Sequence, residues 1–175
     1  MKFKILLAAI AATACSSPVA AVGAGSSAPL ACTAPEYRQF DFWVGRWTVE
    51  DVLNHTPGES VIESVYGGCG IRENWAEPDL TGGSLNIYVP AEKKWRQLWI
   101  DSSGSRREFI GGLNDKGEMV LIATYPSRAH PGATVMDRMI FSKRPDGTVR
   151  QYSDASLDDG ATWTPRYDNI YTRRN

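Results

Sequence analysis

Phe40-Asp41-Phe42-Trp43-Val44-Gly45-Arg46-Trp47-Thr48-Val49 is the stretch that decides the fold. It brings four large aromatic side chains, one glycine and a β-branched end together in ten residues. We interpret it as a short turn or helix that ends at Gly45, followed by a first strand that starts at Arg46. Gly45 gives the backbone room at this junction, and Trp47 is predicted to close one end of the space that the strand helps to enclose.

Short β-like runs follow this stretch, separated by turn signals about every 8 to 12 residues. No long amphipathic helical pattern interrupts them. Closure of such a sheet buries one face and removes the exposed edges, so the sequence predicts an all-β fold, a single antiparallel up-and-down barrel of about ten strands. The turns include Thr56-Pro57-Gly58 and Gly82-Gly83. The predicted strands are 46–53, 60–66, 70–75, 84–89, 95–101, 107–112, 119–125, 134–141, 149–153 and 166–172.

Three successive predicted strands carry a mixed polar and aromatic face, since alternate residues of a strand share a face. The opposite face is largely aliphatic, with Leu85, Ile87, Leu98 and Ile100. The alternation does not decide which face points inward. Either the first face lines a ligand cavity, or its tryptophans are core and its polar residues satisfy one another. The candidate ligand-binding residues are Glu73, Trp75, Asn86, Tyr88, Trp95, Gln97, Trp99 and Asp101.

The N-terminus is typical of a secretory signal peptide, with Lys2 and Lys4 before an apolar run at 5–15 and small residues after it. We expect a signal peptide at 1–24, a flexible leader at 25–36 and the barrel domain at 37–175. The alternative is a lipoprotein signal with an acylated Cys15, which would anchor the protein at the outer membrane. Both alternatives export the mature chain to the periplasm or beyond, and no later segment is apolar enough to span a membrane.

Cys32 and Cys69 remain as a pair once Cys15 is removed or acylated. In an exported domain such a pair most often forms a disulfide, and two buried free thiols are the alternative. The net charge of −1 is spread without long runs of one sign, which gives no electrostatic basis for nucleic-acid binding.

The sequence Gly45-Arg46-Trp47 resembles the Gly-x-Trp signature of the calycin superfamily, which includes the lipocalins and the fatty-acid-binding proteins. In that superfamily the tryptophan closes one end of the barrel, and a basic residue from the last strand crosses over it. The resemblance implies that Arg173 is the partner of Trp47, in a cation–π contact worth about 0.5 to 2 kcal/mol.

A longer pattern is similar to a family of bacterial exported proteins of unknown function that shares this barrel. The resemblance covers nearly all of the mature chain and implies the fold without implying an activity. Its residues are Phe40-Asp41-Phe42-Trp43-x-Gly45-x-Trp47, Gly68-Cys69, Glu73-x-Trp75, Gly83-Ser84-x-Asn86-x-Tyr88, Trp95-x-Gln97-x-Trp99-x-Asp101, Gly104 and Ser156-x-Asp158-x-Gly160-x-Thr162-Trp163.

Two further resemblances are weaker. The segment from Ser156 to Trp163 is similar to the Asp-box of sialidase-type propellers, but it occurs once, so we expect only a hairpin capped by Asp158. Nitrobindin, a haem-binding barrel, implies a histidine on a late strand, whereas this chain has only His55 and His130, both in predicted loops. We therefore expect no haem, and the two isolated histidines with a paired cysteine set indicate no metal or other cofactor.

Glu73 and Asp101 are the candidate catalytic residues, because a carboxyl in a dry cavity can have the raised pKa that acid–base chemistry needs. The alternative, which we favour, is that Arg138, Arg150 or Arg173 neutralises them in structural ion pairs.

Binding of a small apolar or amphipathic molecule in the barrel is the function that the sequence favours. The rings of Trp75, Tyr88, Trp95 and Trp99 would stack on it, and Glu73, Asn86, Gln97 and Asp101 would orient it. An enzyme that uses the same face, of a hydrolase or isomerase type, is one alternative. A structural module of the envelope without a ligand is another. The sequence decides neither the ligand, nor the oligomeric state, nor the cleavage site.

Overall fold

The computed structural model describes residues 32–174, which form a closed barrel of ten antiparallel strands, as predicted. Each strand pairs with its neighbours in sequence, and the first pairs with the last, so the topology is up-and-down. The architecture is consistent with a calycin-like fold. The strands are β1 (Gly45–Asp51), β2 (Thr56–Val65), β3 (Gly70–Glu77), β4 (Leu80–Val89), β5 (Lys94–Asp101), β6 (Arg106–Leu113), β7 (Met119–Pro126), β8 (Thr134–Lys143), β9 (Val149–Ser156) and β10 (Thr164–Arg173).

The polar and aromatic face of β3, β4 and β5 is the one that points into the barrel. Glu73 and Gln97 are 5% and 3% exposed, whereas the neighbouring aliphatic residues Leu85 and Ile100 are 43% and 58% exposed. The two faces therefore contain the residues that the alternation predicted. The structure adds that the more polar face is the inner one. Such an interior is typical of a barrel that encloses a ligand space.

The two ends of the barrel differ in how they are filled. We call one end the closed end; its turns are 66–69, 90–93, 114–118 and 144–148. We call the other the open end; its turns are 52–55, 78–79, 102–105, 127–133 and 157–163. Phe40, Trp43 and Trp47 fill the closed end and are at most 1% exposed. Phe40 stacks on Trp43 at 4.9 Å between ring centroids and meets Phe141 edge-on at the same distance. The aromatic side chains of the stretch 40–49 thus fill the closed end of the barrel.

The chain before β1 is held against the closed end. It forms 3-10 turns at Pro35–Arg38 and Asp41–Trp43, and the predicted Cys32–Cys69 disulfide joins it to the turn between β2 and β3. The predicted signal peptide, Cys15 and residues 25–31 of the predicted leader lie outside the described residues. Among residues 32–174, no helix is both long enough and apolar enough to cross a membrane.

Gly45 and Arg173 lie at the seam where β1 pairs with β10. Trp47 is opposite Arg173 in the register, and the Arg173 guanidinium lies 4.4 Å from the Trp47 ring centroid, which is the contact that the resemblance implied. A Cβ on Gly45 would come within 2.5 Å of Arg173 Nη1, and the φ of Gly45 is +154°. The backbone angle therefore favours glycine here, and any larger residue would also have to displace the Arg173 guanidinium from its place over Trp47.

Two predicted turns are wrong, because both segments belong to strands. Thr56, Pro57 and Gly58 begin β2, where Pro57 is opposite Glu50 in β1 and precedes the first residue paired with β3, so no ladder bond is lost on that side. Gly82 and Gly83 lie inside β4. A Cβ on Gly82 would come within 2.8 Å of Trp99 Cζ2, so this glycine makes room for an aromatic ring.

Candidate ligand-binding site

A cavity of about 560 Å³ occupies the interior between the filled closed end and the open end. Its walls come from both halves of the barrel, and its mouth lies between the turns of the open end. The lining residues are Asp51, Asn54, Thr56, Glu73, Trp75, Glu77, Leu80, Gln97, Trp99, Asp101, Ser103, Ser105, Arg107, Phe109, Asp137, Met139, Gln151, Arg166, Tyr167, Asn169 and Tyr171.

Five of the eight residues predicted to bind a ligand line this cavity. Trp75 and Trp99 contribute ring surface from β3 and β5, and Gln97 lies beneath Trp99 on the same strand. Glu73 lies deep on β3, while Asp101 lies at the end of β5 near the mouth. The sequence pattern therefore brings Glu73, Trp75, Gln97, Trp99 and Asp101 together around one space.

The other three predicted residues are part of the packed interior and do not line the cavity. Trp95 is 2% exposed, and its Nε1 donates a hydrogen bond to Gln39 Oε1 at 3.1 Å. Tyr88 meets the edge of Tyr37 at 5.5 Å between ring centroids. Asn86 supports the cavity wall from below, since its Oδ1 accepts a hydrogen bond of 2.8 Å from Gln97 Nε2. This face therefore lines the cavity towards the open end and belongs to the packed interior towards the closed end.

Glu73 is a buried carboxyl without a cationic partner among the described residues. Its Oε2 accepts a hydrogen bond from Ser84 Oγ at 2.8 Å, and its Oε1 accepts one from Ser60 Oγ at 3.3 Å. Burial raises the pKa of Glu73 to about 7, and the two hydroxyl hydrogen bonds offset only part of that effect. The Glu73 carboxyl therefore changes its charge in the neutral pH range, well above the range of an exposed glutamate.

The expectation that arginines neutralise the two candidate carboxylates is wrong. Arg138 binds Asp154 with Nη2 to Oδ2 at 2.6 Å, and Arg150 binds Asp168 with Nε to Oδ1 at 2.6 Å. Arg173 lies over Trp47 at the closed end. Arg138 and Arg150 project from the face of their strands opposite to the cavity, next to the buried Asp137 and Gln151. Arg173 shares the inward face of Tyr171, but it lies at the closed end, away from both carboxylates.

Asp101 has a structural role in the turn between β5 and β6. Its Oδ1 accepts hydrogen bonds from the backbone nitrogens of Ser103 and Ser105, at 3.0 and 3.2 Å, and its Oδ2 accepts one from Trp99 Nε1 at 2.9 Å. Partial burial would raise the pKa of Asp101, but these hydrogen bonds, with that of the Ser103 hydroxyl, together hold it below its usual value. Asp101 is thus an ionised residue that positions the Trp99 ring.

A second charged group, centred on Asp137, lies on the opposite wall and was not predicted. Asp137 is 1% exposed and accepts hydrogen bonds from Tyr125 OH at 3.0 Å and from Ser153 Oγ at 3.2 Å. It also forms an ion pair with Arg166, and Arg107 Nε lies 3.8 Å from its Oδ2. The residues come from five strands, so no local motif marks them. The sequence does contain one indication: Asp137 alternates with Met139 and Phe141 along β8, so it shares a face with two apolar residues.

Tyr171 separates the cavity from the aromatic core of the closed end. Its ring centroid lies 6.3 Å from that of Trp75 and 6.1 Å from that of Trp47. Its hydroxyl donates a hydrogen bond of 2.6 Å to Gln151 Oε1, and Gln151 Nε2 donates in turn to Tyr167 OH at 3.1 Å. Burial raises the pKa of both tyrosines, so both hydroxyls stay protonated at neutral pH.

The predicted hairpin cap at the open end is confirmed, and it lies outside the cavity. Asp158 accepts hydrogen bonds from the backbone nitrogen and the hydroxyl of Thr162 at 2.8 and 2.7 Å, and these lower the pKa of Asp158 to about 2. Trp163 packs under Arg138, with 3.8 Å between the guanidinium carbon and the ring centroid.

His55 and His130 are both exposed at the open end. Within residues 32–174, no three side chains of His, Cys, Asp or Glu are grouped in a way that could hold a metal ion.

Comparison with known proteins leaves the site to be interpreted from its own geometry. No protein-family model matches this sequence, and no curated protein matches it significantly.

Proposed function

We propose that this protein binds a small, partly apolar molecule in the cavity of the barrel. The cavity of about 560 Å³ lies within the range of about 300 to 1,000 Å³ that is usual for small-molecule sites. Its walls combine large rings with a small number of placed polar groups, and the mouth gives the ligand a route of entry. This combination of apolar area and convergent polar groups is what a binding site needs for affinity and orientation.

The observation that carries the proposal is the contrast between the two halves of the interior. The closed half is filled by Phe40, Trp43, Trp47 and Phe141, each at most 1% exposed. The open half leaves Trp75 and Trp99 only partly buried against the cavity. A barrel that needed only stability could fill both halves with side chains, so the space at the open end is better explained by an occupant than by packing.

Export is the second part of the proposal. The Cys32–Cys69 disulfide supports it, because such bonds persist in oxidising compartments and are rare in the cytosol. The apolar run that follows Lys2 and Lys4 supports it independently. We propose that residues 1–24 are a signal peptide and that the mature barrel acts in the periplasm or outside the cell, as in the exported bacterial family that it resembles.

Native mass spectrometry of the mature protein from its own host tests this function. We expect a mass excess that disappears on denaturation, and binding of the neutral probe 1-N-phenylnaphthylamine by the emptied protein. Trp75→Phe and Trp99→Phe should each weaken probe binding. Trp163→Phe is the matched control, because Trp163 lies outside the cavity and should leave binding unchanged. A bare polypeptide mass together with no probe binding would overturn the proposal and favour a structural module.

A second candidate function is acid–base catalysis, and one observation favours it. The pKa of Glu73 is raised to about 7, close to the value that suits a general base at neutral pH. Asp101 does not share this property, since its hydrogen bonds hold its pKa low. If Glu73 is a catalytic base, turnover found in a screen of small esters should disappear in Glu73→Gln while the same compounds still bind. Turnover that persists in this variant would exclude the base.

A further inference from the structure

We propose that the ligand is an organic cation, with an ammonium group at Glu73 and an apolar body between Trp75 and Trp99. This inference rests on the proposed binding function and names the chemical class of the occupant. Three features of the cavity support it: the placement of one buried carboxyl, the rings around that carboxyl, and the excess of negative charge.

Glu73 is a buried carboxyl of the cavity with no counter-ion among the described residues. It is 5% exposed, and its carboxyl accepts hydrogen bonds from the hydroxyls of Ser60 and Ser84. A buried carboxylate that lacks a cationic partner is costly, and a bound ammonium group would supply that partner. The two hydroxyls fix the carboxyl in place, so its orientation does not depend on the ligand.

The rings around Glu73 favour a cation over a neutral molecule. Trp75 is two residues further along the same face of β3, and Trp99 is on the same row, since Ser84 pairs with both Glu73 and Trp99. Tyr171 closes the far side, 6.3 Å from Trp75 between ring centroids. Tryptophan and tyrosine rings attract ammonium groups through their negative faces, with the strongest effect at indole.

The charges that line the cavity point in the same direction. Five carboxylates, from Asp51, Glu73, Glu77, Asp101 and Asp137, are accompanied by two guanidiniums, from Arg107 and Arg166. When all are ionised, the cavity has an excess of three negative charges, although the whole chain has a net charge of only −1. A cleft with one predominant sign of charge concentrates ligands of the opposite sign.

The competing chemistry is an anionic ligand at the two arginines. Arg166 is already paired with Asp137, and Arg107 lies 4.7 Å from the Tyr125 ring centroid in a cation–π contact. Arg107 Nε is nevertheless buried without a hydrogen-bond acceptor among residues 32–174. Because Asp137 partly neutralises both guanidiniums, an anion would bind next to a carboxylate there. Among residues 32–174, no arginine or lysine pairs with Glu73, so a cation there would not displace an existing partner.

The pH dependence of binding follows from the groups that face Glu73. Burial keeps the pKa of Tyr167 and Tyr171 high, so both remain neutral, while Asp51 and Asp101 have lowered pKa values and remain ionised. Glu77, nearer the mouth on the same strand, has a pKa that burial raises above its usual value. Near pH 7 the largest change in charge is therefore expected at Glu73 itself. A cation that binds the ionised carboxylate should bind more tightly as the pH rises through about 7.

Three naphthyl probes of matched size test the proposal by isothermal titration calorimetry on the full mature protein at about pH 8. They are 2-(1-naphthyl)ethylamine, 2-(1-naphthyl)ethanol and 3-(1-naphthyl)propionate, which are cationic, neutral and anionic. We expect the amine to bind at least about tenfold more tightly than the alcohol, and the anion to bind most weakly. The trimethylammonium derivative of the amine, whose charge is fixed, should lose roughly tenfold in affinity at about pH 5.5.

Variants assign this preference to Glu73. Glu73→Gln should abolish the preference for the amine and its pH dependence, while it leaves the affinity for the alcohol within about twofold. Glu63→Gln is the matched control, because Glu63 occupies the next register position, on the outer face, and pairs with Arg72. It should change nothing.

Each other outcome overturns the inference in a distinct way. Equal affinity for amine and alcohol in the wild-type protein would leave the binding function in place and reject the cation. Tighter binding of the propionate would reject the cation in favour of an anion at Arg107 and Arg166. Failure of all three probes to bind would count against the cavity as a binding site, and so against the proposed function as well.

Discussion

At the scale of single residues, Glu73 is predicted to make the stability of the fold depend on pH. Its pKa is raised from 4.5 to about 7 in the folded protein, so the folded state holds this proton more tightly than the unfolded chain does. The stabilisation is complete below about pH 4.5 and is lost as the pH rises through about 7. The loss amounts to about 3 kcal/mol of the free energy of unfolding, since one pKa unit corresponds to about 1.4 kcal/mol.

Urea unfolding at about pH 5 and pH 8, with the disulfide intact, measures this effect. Glu73→Gln isolates it, because the amide keeps the shape of the carboxyl without its charge: its oxygen can still accept from one serine hydroxyl, and its NH2 can donate to the other. We expect the variant to be more stable than the wild-type protein at pH 8, and the difference between the two to shrink or reverse at pH 5. A constant difference at both pH values would show that Glu73 does not titrate in this range.

The residues of the site differ in how far the sequence could reveal them. Glu73, Trp75, Gln97 and Trp99 lie on strands that follow one another, so their two-residue alternation marks one shared face. Asp137 and its partners come one each from the five consecutive strands β6 to β10, so no spacing along the chain marks them. The alternation also could not tell the inside from the outside, because the aliphatic face of β4 and β5 is the exposed one.

At the scale of elements, the Cys32–Cys69 disulfide is predicted to stabilise the fold without affecting the site. It closes a loop with a sequence separation of 37 and holds the N-terminal 3-10 turns against the turn between β2 and β3. Chain entropy predicts a loss of about 3 to 4 kcal/mol in the double variant Cys32→Ser/Cys69→Ser. Because the bond lies at the closed end, the affinity for the naphthyl probes should stay within about twofold.

Urea unfolding and calorimetry of the double variant, below its midpoint of unfolding, check both parts of this prediction. A large loss of probe affinity without a loss of stability would mean that the bond shapes the cavity and does not chiefly restrain the unfolded chain.

The elements themselves were largely predictable from their turn signals. The errors at Pro57 and Gly82 arose because proline at a strand start and glycine beside an indole serve packing, which local propensity does not distinguish from a turn.

At the scale of the whole molecule, the barrel divides its interior into a half that stabilises the fold and a half that is available to a ligand. Tyr171 lies at the boundary, with its ring against Trp47 on one side and Trp75 on the other. The resemblance to calycin-like barrels indicated which end would be closed, since it placed Trp47 and Arg173 there. The volume of the remaining space depends on how side chains from every strand fit together, and the sequence does not give it.

A substitution in the closed half should therefore affect mainly stability, and one in the open half should affect mainly ligand affinity. Phe40→Ala removes a ring that is fully buried among Trp43, Trp95 and Phe141, so it leaves a closed void and should lower the free energy of unfolding by about 3 to 5 kcal/mol. Trp99→Ala enlarges a space that is already open, so it should cost less than about 2 kcal/mol. The same pair should behave in the reverse order towards 2-(1-naphthyl)ethanol, with Trp99→Ala losing about tenfold or more in affinity and Phe40→Ala losing little.

Urea unfolding gives the free energy of unfolding of each variant, and calorimetry, at a temperature where each is folded, gives its affinity for 2-(1-naphthyl)ethanol. Trp163→Ala serves as the control for removal of an indole outside both halves, and it should leave probe affinity unchanged. If Phe40→Ala weakened the probe as much as Trp99→Ala, the closed end would control the shape of the cavity. The two halves would then be separate in position but not independent in their effect on binding. The affinity for the probe would depend on the packing of the whole barrel.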